Sequence, residues 1–151
     1  MKFVITELGL ISRLFAAGFL NRFSPQDIKF FIVDYCYNDQ LKRGKFDSVI
    51  IHKMLVQGML NIVSIDEKEN EQAADLFLKH SNFLFQSIVS IVYAKQTGID
   101  FFVEDPNLMT LAFNYVQGKI DIHSKGYLIS SLLHKINIEE EKFDKKVLMS
   151  I

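Results

Sequence analysis

Ile99-Asp100-Phe101-Phe102-Val103-Glu104-Asp105-Pro106-Asn107-Leu108 is the stretch whose reading decides the fold. The apolar run Asp100-Phe101-Phe102-Val103 is too short for a helix and ends in two acids and a proline. Before it, residues 83–96 carry Leu84, Ile88, Ile91 and Val92 at helical spacing, and Gly98 stops them. After it, a helix starts at Pro106 and presents Leu108, Leu111, Ala112, Tyr115 and Val116 on one face, closing at Gly118. Helix, buried strand, helix is the repeating unit of a parallel sheet, because parallel strands need long crossovers and bury both faces. Acids just past the carboxyl end of such a strand stand where ligands bind in α/β folds.

The same alternation extends in both directions. Residues 3–5 open as a β-branched strand, and residues 8–20 follow as a helix with Leu10, Ile11, Leu14, Phe15 and Phe19 on its stripe. Ser24-Pro25 reads as a loop or short turn before a second strand, Phe30-Phe31-Ile32-Val33. A long helical segment covers residues 35–56, with Gly44 able to divide it and Gly58 ending it. Residues 60–65 alternate as a third strand. Asp66 caps a charged helix running to Lys79, whose residues 67–71 read as a solvated face. Residues 119–122 read as a short edge strand, and helices over 127–133 and 139–148 finish the chain. The expected architecture is α/β: a three-layer α/β/α domain with a central parallel sheet, formed by residues 1–151 as a single unit.

Composition narrows the function classes. With 151 residues and 49% hydrophobic content, the chain can bury one proper core. The formal net charge is −1 at pH 7, so charge gives no support to non-specific nucleic-acid binding. Cys36 is the single cysteine, which rules out an internal disulfide, fits a reducing cytosol, and reads as a small buried hydrophobe. The N-terminal residues lack a signal-peptide pattern, and no apolar run approaches a membrane span. His52, His80, His123 and His134 show no i, i+4 pair and read as surface or partner-facing residues. There is no nucleophile elbow, phosphate-binding glycine loop or CxxC.

Several motifs then line up in order. The opening is Phe3-Val4-Ile5-Thr6-Glu7-Leu8; an acid-Gln-Leu follows at Asp39-Gln40-Leu41. Gly58-Met59-Leu60-Asn61-Ile62-Val63 precedes Ala94-Lys95-Gln96-Thr97-Gly98, then Glu104-Asp105-Pro106-Asn107-Leu108 and Ser124-Lys125-Gly126-Tyr127-Leu128. Together they resemble the PIN-domain-like family, in particular its short bacterial branch, over roughly residues 3–133. The resemblance implies a three-layer α/β/α fold. In active members, carboxylates at the strand ends hold Mg²⁺ or Mn²⁺, which activates water for RNA cleavage. It also makes a homodimer an expectation, since family members often dimerise.

The departures from the family pattern fall on those carboxylates. Thr6 stands where the family has its first aspartate. Glu7 is adjacent, and replaces it only where the strand has already ended, because neighbouring strand residues face opposite sides. Gln40 stands at the second acid, with Asp39 about 100° away around the helix. Gln86 or Ser87 takes the third position, and Glu104-Asp105 keeps its charge. Asp105 before Pro106 is equally a helix cap. The resemblance therefore implies a cytoplasmic protein with a degenerate acidic site, binding a protein or RNA partner without a cofactor. The alternative is a Mg²⁺- or Mn²⁺-dependent ribonuclease of toxin–antitoxin type, with Glu7, Asp39, Glu104 and Asp105 catalytic and Glu104 and Asp105 on the metal. In either case Thr6, Gln40, Gln86 and Ser87 line the site. A purely structural or oligomerisation module is the third reading.

Overall fold

The computed structural model describes residues 1–135. Strands β1 (Lys2–Val4), β2 (Lys29–Val33), β3 (Leu60–Val63), β4 (Asp100–Phe102) and β5 (Ile122–His123) form one sheet in the order β3-β2-β1-β4-β5. All four neighbouring pairs are parallel. The crossovers are made by α1 (Gly9–Ala16), α2 (Asp34–Arg43), α3 (Ser48–Gln57), α4 (Glu67–Lys79), α5 (Phe85–Thr97) and α6 (Pro106–Val116), with α7 (Lys125–Lys135) after β5. The expected α/β class and parallel sheet are what the chain adopts, in the three-layer α/β/α arrangement.

The strand order sets the position of the site. From β1 the chain builds outward to β2 and β3, then returns across β1 to lay down β4 and β5. The loops leaving β1 and β4 therefore diverge, which opens a crevice beyond their carboxyl ends. Among the sheet's fully buried side chains are Phe30, Ile32 and Phe101. Helix α5 packs against the sheet with Ile88, Val89, Ser90, Ile91, Val92 and Ala94 all buried, so it presents apolar atoms on more than one face. Leu84, expected on its core stripe, is instead the exposed N-cap residue.

Several boundaries differ from expectation, each for a local reason. The helix expected over residues 8–20 stops at Ala16, because Gly18 turns into the left-handed region at φ +84° and a 3₁₀ turn, Leu20–Arg22, follows. The long segment over 35–56 is two helices divided at Gly44. A side chain there would meet the Gln40 carbonyl at 2.6 Å, and Asp47 caps the second helix through the N–H groups of Val49 and Ile50. The third strand ends at Val63, two residues early, as the chain turns toward Asp66. Residues 67–71 are not a purely solvated face. Glu69 is buried and closes a capping box with Asp66, and burial raises its carboxyl above the ordinary range. The edge strand lies at Ile122–His123 instead of 119–122, displaced by left-handed turns at Gln117 and Gly118. The final helix begins at Lys125, two residues before its expected start; the helix expected over 139–148 lies outside the described residues.

Candidate functional site

Strand β1 ends at Val4, so the chain has left the strand by the time it reaches Thr6 and Glu7. Strict alternation no longer applies, and both residues line the crevice. They meet Ser87, from the first turn of α5, and Glu104 and Asp105, from the loop after β4. The cavity they enclose is about 160 Å³, with Ile5, Leu10, Phe102 and Val103 among its apolar walls.

Two of the three acids in this crevice already have structural work. The Asp105 carboxylate accepts the Asn107 N–H at 2.8 Å, with Pro106 in the first helical turn, so it caps α6. Glu104 Oε1 accepts from Arg13 Nη2 at 3.2 Å. Gly9, one turn before Arg13, makes room for that guanidinium. A Cβ there would lie 3.1 Å from Arg13 Nη1 and 2.8 Å from the Lys45 carbonyl. Among the described residues, Glu7 is the one crevice carboxylate left without a hydrogen bond or ion pair.

Three of the expected site residues do not line the cavity. Gln40 Oε1 accepts the Leu8 N–H at 3.1 Å, which fastens α2 to the start of α1. Asp39 is paired with Arg43, one turn along α2: its Oδ1 accepts from Nε at 2.9 Å and lies 2.6 Å from Nη2. Gln86 contributes its backbone carbonyl to Cys36 Sγ at 3.2 Å and Ser90 Oγ at 2.9 Å, below the crevice. Burial pushes the Cys36 thiol from its ordinary 9.0 up to about 12, only partly opposed by the Ser90 hydroxyl and helped by the charges of Asp39, Asp34 and Glu7. A thiol held neutral in this way is a poor nucleophile, as the sequence reading expects.

A second group of ionisable residues was not visible in the sequence. His123, read as a surface histidine, is buried, with 6% of its surface exposed. Its Nε2 lies 2.8 Å from Asp100 Oδ2, and Asp100 Oδ1 accepts the Asp121 N–H at 3.0 Å. The ring stacks on Tyr127 at 4.4 Å and meets the Phe3 ring edge-on at 5.3 Å. The cause is register. Phe102 pairs with His123 and Phe3 with Asp100, so Phe3, Asp100 and His123 share one face of the sheet. No local signal could have found this group, since its two halves lie more than twenty residues apart.

The resemblance implies Mg²⁺ or Mn²⁺ at the strand ends, and the donor set there does not fit such an ion. Mg²⁺ is held by anionic oxygens in near-octahedral geometry. The crevice offers the unpaired Glu7, the neutral Thr6 hydroxyl, a Glu104 bound to arginine and an Asp105 bound to a helix N–H, and its three carboxylates do not converge within 4.8 Å of one another. Among the described residues, one set of three potential ligands falls within 4.8 Å of one another, and it is Asp100, Asp121 and His123. No protein-family model matches the chain, and no curated protein matches it. No helix of the described residues is long and apolar enough to cross a membrane.

Proposed function

We propose that this chain is a PIN-like domain whose strand-end crevice has lost metal-dependent chemistry and serves to bind a partner in the cytoplasm. The observation that carries this reading is that only Glu7 of the three crevice acids is unengaged, since Arg13 neutralises Glu104 and the α6 N-terminus holds Asp105. Acids engaged in this way hold a fold together and are not free to hold a hydrated cation. The partner is a protein or an RNA. The carboxylates around the cavity and the net charge of −1 repel a phosphodiester backbone, which favours a protein.

The test incubates single-stranded RNA with the wild type, Thr6→Asp and Asp105→Asn, with and without Mn²⁺. Asparagine caps a helix about as well as aspartate, so Asp105→Asn keeps the fold while removing the charge. RNA left intact by the wild type is the expected result. Thr6→Asp restores an acid at the family's first position and should bind Mn²⁺ more tightly than the wild type. Mn²⁺-dependent cleavage by the wild type that disappears in Asp105→Asn would overturn the reading and install the toxin–antitoxin ribonuclease in its place.

A further inference from the structure

We propose that Asp100, Asp121 and His123 form a binding site for a divalent transition-metal ion of the Zn²⁺ class, separate from the crevice and independent of what the crevice does. One imidazole nitrogen and two carboxylates are a zinc donor set, and the three ligand atoms already lie within 4.8 Å of one another. Metal–ligand bonds of about 2.0–2.2 Å place ligand atoms roughly 3–3.6 Å apart. The His123–Asp100 pair, at 2.8 Å, needs to open by a few tenths of an ångström. Asp121 is exposed and precedes the strand, so its side chain can swing to close the remaining gap.

The nitrogen ligand separates this group from an ordinary acidic patch. The imidazole is more than nine-tenths buried, its ring is clamped between Tyr127 and Phe3, and its Nε2 is aimed at the Asp100 carboxylate. The other Asp100 oxygen is fixed by the Asp121 N–H, the kind of outer-sphere support that orients metal ligands. A cavity of about 550 Å³, lined by Asp121, His123, Ser124, Tyr127 and Phe113 among others, opens beside the group and leaves space for a fourth ligand. Imidazole favours Zn²⁺ over Mg²⁺, which wants oxygen ligands. Zn²⁺ takes a neutral imidazole, so it binds Nε2 in the tautomer that carries the ring proton on Nδ1, with the carboxylates ionised.

The experiment titrates ZnCl₂ into the full chain by calorimetry, for the wild type and Asp121→Asn, and follows the histidine ring resonances by NMR. Asp121→Asn removes an exposed charge and should leave the circular dichroism spectrum unchanged. One Zn²⁺ per chain is expected, with a shift of the His123 ring signals, no competition from equimolar Mg²⁺, and at least tenfold weaker binding in Asp121→Asn. Absence of binding, equal affinity in the two proteins, or shifts confined to His52, His80 and His134 would each overturn the proposal.

Discussion

Strand β4 carries ionisable groups at both ends, and the two ends behave differently. At its carboxyl end, Glu104 and Asp105 are exposed, and each is held by one neighbour, a guanidinium or a helix N–H. At its amino end, Asp100 is tied to a buried histidine and to the backbone N–H of Asp121, just before the next strand. Of the acids that sequence pattern places where ligands bind, Glu104 and Asp105 have structural partners and Glu7 has none. The group that converges includes a histidine that the pattern read as a surface residue. Position at a strand end thus selects where carboxylates stand, while the partners they find decide what they can still do.

Burial predicts which end matters more to stability. His123→Ala should cost about 2–4 kcal/mol, because it removes a ring packed between Tyr127 and Phe3 and leaves an Asp100 oxygen unpaired in a half-buried place. Urea denaturation reads this directly. A loss smaller than that of any crevice substitution would break the comparison.

Asp105→Ala should cost about 1 kcal/mol, the usual value of a lost helix cap. The loss should be the same with and without Mn²⁺. A variant more stable than the wild type in metal-free buffer would mean that Asp105 is strained by repulsion from Glu104, and that the crevice is an acid cluster after all.

The smallest effect is expected at Arg13→Gln, about 0.5 kcal/mol or less. Both partners of the Arg13–Glu104 pair are 39% exposed, and solvent screens such pairs strongly. Double-mutant analysis with Glu104→Gln checks the coupling. A coupling energy several times larger would show that the crevice is drier than its exposure implies and would narrow the contrast with the amino end of β4.

Most of the secondary structure was legible because it follows from rules that act over a few residues. Gly44, Gly58 and Gly98 end helices where the chain reverses, and Asp66 and Asp105 cap helices where their spacing says they should. Apolar runs separated by helices already imply a parallel sheet. Glu69 escaped because a capping box drew it inward, and the helix expected over 8–20 ends early because Gly18 takes a left-handed conformation that the apolar spacing does not reveal.

The sequence by itself determined the α/β class, the strand-end placement of Thr6, Glu7, Glu104 and Asp105, and the burial of Cys36. Only the tertiary structure decided that Gln40 fastens Leu8, that Arg13 reaches Glu104 across 91 residues, and that His123 meets Asp100. Periodicity and capping are local and can be read along the chain. Which side of β1 the returning strand takes, and in what register β5 joins it, is settled by the packing of the whole sheet, and those choices decide which distant polar groups become neighbours.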